Sequence, residues 1–184
     1  MAAQIYFHPK TVLALSGSLR AGSLNTAMLA MAAGCAPPQL NIILYAGLTD
    51  LPLFNPDFEM NEPPSVARLR NHIAAADALL IASPEYAHGV SSVMKTALDW
   101  MVASGALANK PVVLWNAAPR AAHAAAALRE TLEMMSARLV NAAGLELLIQ
   151  HDAAGMAPRN PDPKAMRRAL RVLKTTLDHL AQGR

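Results

Sequence analysis

The sequence predicts an α/β fold built on a doubly wound parallel sheet. Short apolar runs recur five times along the 184 residues, and stretches with helical spacing of apolar side chains separate them. The composition, 53% hydrophobic but only 4% aromatic, favours helices packed on a sheet over an all-β barrel. Alternating elements of this length are typical of right-handed crossovers between parallel strands.

Five strands are predicted, at residues 11–15, 40–45, 77–82, 111–115 and 145–149. This number fits the flavodoxin-like order 2-1-3-4-5 better than a six-stranded dinucleotide-binding sheet. The helices between the strands are identified by apolar residues three or four positions apart. These are Leu24, Ala27, Met28, Met31 and Cys35; Val66, Leu69 and Ile73; Val93, Met94, Ala97, Leu98 and Met101; Leu128, Leu132, Met135 and Leu139; and Met166, Leu170, Leu173, Leu177 and Leu180.

Residues 1–184 are expected to form a single domain, since no repeat or second composition class appears. The single cysteine, Cys35, allows no internal disulfide and favours a reducing compartment. No apolar run is long enough to span a bilayer, and the first residues lack the basic region of a signal peptide. We therefore expect a cytoplasmic protein without a membrane partner.

The net charge of +3 mildly favours anionic ligands. No nucleic-acid-reading motif accompanies it, so no nucleic-acid partner is expected. The histidines show no metal-ligand spacing, and neither a Cys-His nor a Ser-His-Asp set is evident. The sequence thus predicts no metal site and no catalytic side chain.

A Gly/Ser-rich loop follows the first predicted strand and leads into a helix. Ser18, Ser23 and Asn25 can donate hydrogen bonds, Arg20 offers a planar charged fork, and Gly17 and Gly22 allow tight turns. The helix start adds its positive dipole end. These features predict a phosphate site, although Ser23 as a plain helix cap with turn-forming glycines remains an equal alternative.

A second loop, Ser83-Pro84-Glu85-Tyr86-Ala87-His88-Gly89-Val90, follows the third predicted strand. Its backbone amides can face the edge of a heteroaromatic ring, and Tyr86 can lie against the ring face. The alternative is an ordinary surface loop with a solvated Glu85. Further on, Ser91 or Ser92 is predicted to cap the next helix. Trp100 of that helix is expected at a subunit interface or in the core.

The two loops and the helix together resemble the NADPH-dependent FMN reductase family, including its quinone- and chromate-reducing members. The likeness runs from about Thr11 to Ile149. It is carried by Gly17-Ser18-Leu19-Arg20-Ala21-Gly22-Ser23-Leu24-Asn25, by Leu51-Pro52-Leu53-Phe54-Asn55, by Pro84-Glu85-Tyr86-Ala87, and by Met94-Lys95-Thr96-Ala97-Leu98-Asp99-Trp100.

The resemblance implies an FMN site and an NADPH or NADH hydride donor. It assigns the FMN phosphate to Ser18, Arg20, Ser23 and Asn25. It assigns the isoalloxazine ring to Pro84, Glu85, Tyr86, Ala87 and His88, with Asn116, Ala117 and Arg120 closing the other side. It also implies a homodimer or homotetramer, in which residues 51–55 reach a neighbouring subunit's pocket.

The sequence departs from the family pattern in three places. Ala87 stands where asparagine is usual, and Ser91-Ser92 stands where Pro-Gly is frequent. Pro119-Arg120-Ala121-Ala122-His123 replaces a Gly-rich segment, which narrows the nicotinamide side of the expected pocket or adds Arg120 as an anion clamp.

Three functions are therefore compared. The first is an enzyme that passes hydride from NAD(P)H to FMN and then to a small acceptor, namely a quinone, azo compound, flavin or metal oxyanion. The second is a flavodoxin-type electron carrier, which the basic charge disfavours. The third is a non-enzymatic binding protein on the same fold, which the altered segment 119–123 suggests.

Overall fold

The computed structural model describes residues 8–115, 122–140 and 162–182. Their helices and strands alternate along the chain as expected from the sequence. The strands are β1 (Lys10–Ser16), β2 (Leu40–Leu44), β3 (Ala78–Ala82), β4 (Glu85–Tyr86), β5 (Gly89–Val90), β6 (Pro111–Trp115) and β7 (Arg138–Leu139). The α-helices are α1 (Leu24–Cys35), α2 (Pro64–Ala75), α3 (Ser92–Val102), α4 (Ala122–Met134) and α5 (Pro163–Gln182).

In the described residues, five parallel strands form the main sheet, in the order β2-β1-β3-β6-β7. This confirms the predicted flavodoxin-like arrangement. The register pairs Ser16 with Ala82 and Ala82 with Trp115, so β1, β3 and β6 end side by side. The loops that follow β1 and β3 therefore meet at the carboxyl edge of the sheet, where open α/β sheets bind ligands.

Helices cover both faces of the sheet because the strand side chains alternate. Val12 and Ala14 of β1 pack with α1 and α5, whereas Leu13 and Leu15 pack with α2, α3 and α4. All four side chains are at most 1% exposed. The two apolar layers hold the sheet rigid beneath its carboxyl edge.

Two predicted elements near the end of the sheet need correction. Helix α4 does not extend to Leu139, which belongs to β7. Ser136 adopts a left-handed φ of 57°, and Ala137 N–H donates to Leu132 O at 2.9 Å while Ser136 N–H donates to Glu133 O. This Schellman arrangement ends the helix and turns the chain into the fifth strand of the sheet. The strand predicted at 145–149 lies outside the described residues.

The stretch 50–63 contains no strand or α-helix. It includes the whole of a 3₁₀ helix over Pro56–Asn61 and the last residue of another over Gly47–Asp50. Trp100 anchors the segment: its indole N–H donates to Pro52 O at 2.8 Å, and its ring meets Phe54 edge-on at 5.1 Å. Trp100 is 4% exposed in the single chain, so the chain itself buries this side chain.

No described helix combines the length and the apolar character needed to cross a bilayer.

Candidate functional site

The two loops singled out in the sequence lie against each other at the carboxyl edge of the sheet. Gly17 continues from β1 and donates its N–H to Ala82 O, the last residue of β3, at 2.8 Å. A Cβ on Gly17 would stand 2.8 Å from both Ser83 Cβ and Ser91 Oγ, and closer still to Ser83 Oγ. The absence of a side chain at Gly17 is therefore what lets the loops touch.

Gly22 differs from Gly17 in this respect. A Cβ there would meet nothing within 4 Å, and its φ lies outside the left-handed region. Both glycines were predicted to allow tight turns, but only Gly17 is required for a close approach.

The first loop is folded by its own hydroxyl groups. Ser16 Oγ and Thr26 Oγ1 share a hydrogen bond of 2.7 Å, and Ser23 Oγ accepts from Thr26 N–H at 3.2 Å. Ser18 Oγ accepts a long bond from Arg20 N–H at 3.4 Å. Ser23 is thus the N-cap of α1, as the simpler interpretation predicted. The cap also places the loop directly over the positive end of the helix dipole.

Asn25 has an unsatisfied polar atom beneath this loop. The residue is 7% exposed, and its Oδ1 has no hydrogen-bond partner among the described residues. Buried side-chain amides normally have partners, and their oxygen and nitrogen atoms can be exchanged by a flip about the last torsion. After that flip the unpaired atom is an N–H donor at the start of α1, which suits an anion.

The second loop is a hairpin. β4 and β5 pair antiparallel, with Glu85 opposite Val90 and Tyr86 opposite Gly89. Ala87 and His88 form the two-residue turn with φ values of 48° and 61°, the positive range that hairpin turns of type I′ require. Neither residue is the asparagine or glycine that adopts this conformation readily, so the turn is strained.

Ala87→Gly is expected to stabilise the protein by about 0.5–1 kcal/mol, because the left-handed penalty exceeds the added chain entropy of glycine. Urea unfolding followed by circular dichroism measures the change. Ala126→Gly, at an exposed position within α4, is the control and should instead destabilise by about 1 kcal/mol. Equal losses from both substitutions would contradict strain at the hairpin turn.

The hairpin is tied to helix α4 at two points. Glu85 Oε2 accepts from Ala124 N–H in the first turn of the helix, at 2.9 Å. The His88 and His123 rings stack with centroids 4.3 Å apart and an interplanar angle of 19°. The Glu85 carboxylate is therefore held against the first turn of α4. The alternative prediction, a Glu85 side chain free in solvent, is wrong.

Glu85→Ala is expected to lower the free energy of unfolding by about 1 kcal/mol, since it removes a carboxylate from a helix N-terminus. Thermal or urea unfolding measures this loss. Glu130→Ala, an exposed carboxylate further along α4, should change stability by no more than about 0.5 kcal/mol. A Glu85→Ala protein as stable as the Glu130→Ala protein would show that the contact adds nothing.

The structure brings most of the expected residues to this edge. Ser18, Arg20, Ser23 and Asn25 occupy the first loop and the start of α1, and residues 84–88 form the hairpin side. Asn116, Ala117 and Arg120 lie outside the described residues. Five further residues contribute to this edge although none of them was predicted as a site residue: Ser16, Thr26, Ser83, Ser91 and, as a stacking partner, His123.

The helix-cap prediction at Ser91 or Ser92 is correct in position only. Ser91 is the N-cap residue of α3, but its side chain makes no capping hydrogen bond. Its hydroxyl instead lies 3.2 Å from Ser83 Oγ, across the base of the hairpin. The pair closes the hairpin at the point where Gly17 packs. A serine on each side of a short loop is a signal that could have suggested this link.

The described residues contain no cluster of three or more His, Cys, Asp or Glu side chains suited to a metal ion. The donors at this edge are instead hydroxyl groups, amides and one arginine. This set suits an anionic group at the first loop and a flat polar ring beside the hairpin.

Comparison with known proteins agrees with this geometry. Residues 11–153 match the family model described as NADPH-dependent FMN reductase. An NAD(P)H-dependent FMN reductase of Pseudomonas aeruginosa is 49% identical over 90 residues, which are 48% of this chain and 48% of that protein. A quinone reductase of Escherichia coli is 34% identical over 107 residues, 56% of this chain and 57% of the relative. The chain thus spans about half the length of the curated relatives it matches.

Among solved structures, a flavoenzyme NAD(P)H:acceptor oxidoreductase of Paracoccus denitrificans superposes with a TM-score of 0.75 and 26% identity. The match covers 92% of this chain and 96% of that one. An azoreductase of Bacillus anthracis shares the fold with a TM-score of 0.55 at 16% identity, over 94% of this chain and 97% of the other.

Proposed function

The chain belongs to the NADPH-dependent FMN reductase family, and from this membership we propose that it is an FMN-dependent NAD(P)H oxidoreductase. In this proposal, residues 1–184 form one FMN-binding domain, and a small molecule such as a quinone, azo compound, flavin or metal oxyanion accepts the electrons. The observation that carries the proposal is the contact between the two loops through Gly17.

The described residues fit FMN in chemical character. The buried, unpaired amide of Asn25 and the dipole of α1 suit the phosphate, together with Ser18, Ser23 and the exposed Arg20. Pro84, Glu85, Tyr86, Ala87 and His88 offer the ring a hairpin surface, and Asn116, Ala117 and Arg120 remain candidates for its other side. When bound, FMN supplies the transfer of hydride and of electrons.

The side chains around the site bind and orient but need not react. The strained turn at Ala87 and His88 sets the direction of the hairpin amides, and Glu85 fixes the hairpin against α4. Amides held in place can stabilise negative charge on a ring without reorganisation during the reaction. Hence no side chain is assigned a catalytic role.

The phosphate assignment can be tested by comparing FMN with riboflavin, which lacks the phosphate. Arg20→Gln is expected to weaken FMN binding about tenfold and to leave riboflavin binding unchanged, because a charge-assisted hydrogen bond is lost. Arg167→Gln, at an exposed position on α5, is the control and should change neither. Equal weakening of both flavins by Arg20→Gln would contradict a phosphate role.

The activity test is spectroscopic. Purified protein loaded with FMN should lose its visible flavin absorbance on addition of NADPH or NADH and regain it with a benzoquinone. A flavin that a separate reductase reduces but NAD(P)H does not would favour the electron-carrier alternative. A protein that takes up no FMN would favour a non-enzymatic binding function.

The proposal includes a homodimer or homotetramer in the cytoplasm, where NAD(P)H is available. Support comes from several apolar side chains exposed together on residues 51–61: Leu53 is 82% exposed, Phe58 50% and Met60 97%. Exposed apolar groups of this kind typically mark contact surfaces.

Leu53→Glu is expected to reduce the molecular mass measured by light scattering, whereas Met134→Glu, at a residue 81% exposed on α4, should not.

A further inference from the structure

A second candidate site lies at the opposite edge of the sheet. A groove of about 650 Å³ opens where the strands begin, between the end of α2, the end of α5 and the turn before β6. Its volume falls in the range of small-molecule sites. The flavin proposal involves the carboxyl edge only and makes no use of this groove.

The groove is lined by cations in excess of anions. Among its described lining residues are three cations, Lys10, Lys110 and Arg138, and one anion, Asp77, a formal charge of +2. Asp77 is already engaged: Oδ1 lies 3.1 Å from Lys10 Nζ, and Oδ2 accepts from Thr11 N–H at 2.8 Å. The groove therefore offers an anion positive charge that Asp77 only partly offsets.

The three cations differ in what they contact. Lys110 Nζ donates to Ala76 O at 2.6 Å, at the end of α2. Arg138 is exposed at the start of β7, and its guanidinium has no hydrogen bond or ion pair within the described residues. Because a guanidinium offers a planar fork of donors, Arg138 suits the two oxygens of a carboxylate or phosphate.

The walls that carry these cations are fixed by backbone hydrogen bonds. Asn109 N–H donates to Ser136 O at 2.8 Å, and Arg138 N–H donates to Lys110 O at 2.9 Å. Asn109 and Ser136 both have left-handed φ values, 58° and 57°. The turns before β6 and β7 are therefore hydrogen-bonded to each other, which places Lys110 and Arg138 side by side.

The opposite wall is apolar. Leu177, Leu180 and Ala181 of α5 line it. Leu177 is buried and Leu180 half-buried, so Leu180 presents the accessible hydrocarbon surface and Leu177 packs behind it. A ligand that interacts with both walls of the groove has an anionic group at one end and an apolar part at the other.

We propose that this groove binds an organic anion, with its phosphate or carboxylate on Arg138, within the positive field of Lys10 and Lys110, and its apolar part on Leu180. The proposal does not depend on the flavin function. The probe is 1-naphthyl phosphate, titrated by calorimetry into protein kept saturated with FMN, so that the carboxyl-edge site is filled. Inorganic phosphate and 1-naphthol are titrated separately, to measure binding of the phosphate group alone and of the apolar ring system alone.

We expect 1-naphthyl phosphate to bind more tightly than either fragment, and more weakly as salt increases. Arg138→Gln should weaken it about tenfold, the loss of one charge-assisted hydrogen bond. Leu180→Ala should weaken it about threefold, since it removes part of the apolar wall. Arg171→Gln, at an exposed position of α5 that does not line the groove, is the matched control and should leave binding unchanged.

Absence of binding to the unaltered protein would overturn the proposal. So would full affinity in the Arg138→Gln protein, or a rise in free-flavin fluorescence showing that the probe merely displaces FMN. Circular dichroism of each variant confirms that lost affinity is not lost folding.

Discussion

Gly17→Ala is expected to destabilise the protein by about 1–3 kcal/mol, the usual effect of forcing an extra methyl group into a filled space. The new Cβ would stand 2.8 Å from Ser83 Cβ and from Ser91 Oγ. Ser83 Cβ is bonded to the backbone, so rotation of a side chain cannot relieve the overlap. One of the two loops must move, and FMN affinity should fall at least about tenfold if both loops hold the flavin. Urea unfolding and fluorescence titration with FMN measure the two effects.

Gly22→Ala provides the matched control in the same loop. Open space surrounds that position, so the substitution should be neutral or stabilise by about 0.4–1 kcal/mol through reduced freedom of the unfolded chain. FMN binding should be retained. If Gly17→Ala bound FMN as well as Gly22→Ala does, contact between the loops would not be needed for the flavin site.

Trp100→Ala is expected to lower the free energy of unfolding by about 3–5 kcal/mol, the typical cost of truncating a buried aromatic residue. The change removes a large buried side chain, the hydrogen bond to Pro52 O and the edge contact with Phe54. It also releases the segment 51–55, which the proposed function places near a neighbouring subunit. Thermal and urea unfolding measure the loss of stability, and light scattering measures any loss of assembly.

Trp100→Phe separates the two contributions. Phenylalanine keeps most of the apolar area but cannot donate to Pro52 O, so the expected loss is about 1–2 kcal/mol. A loss as large as that of Trp100→Ala would mean that the hydrogen bond, rather than packing, holds the segment in place.

Four of the five described strands of the sheet were predictable because each is a short apolar run with turn or polar residues at its ends, whereas β7 was not. The prediction at 111–115 matches β6 to the residue, those for β2 and β3 differ by one residue at one end, and β1 extends one residue further at both ends. The end of α4 was not predictable in the same way. Leu139 continues the helical spacing of Leu128, Leu132 and Met135, yet Ser136 turns the chain without the glycine that usually marks such an end.

The candidate site was predictable in its location but not in its contacts. Topology alone brings the ends of β1 and β3 together, so the loops after them had to be neighbours. The strained hairpin, the Ser83–Ser91 link and the bond from Ala124 N–H to Glu85 were not foreseen. The last of these joins residues 39 apart in the chain, and no local pattern specifies such a pair.

Composition and periodicity were thus sufficient to predict the fold class, the strand order and the edge of the sheet that carries the loops. They suffice because the burial of apolar side chains imposes a local pattern on the sequence of each helix and strand. Only the tertiary structure showed that Gly17 is the glycine required for contact between the loops and that Glu85 contacts the start of α4. It also showed that Lys10, Lys110 and Arg138 line one groove at the opposite edge of the sheet. Those features depend on short-range contacts between distant segments, and such contacts exist only after the sheet has assembled.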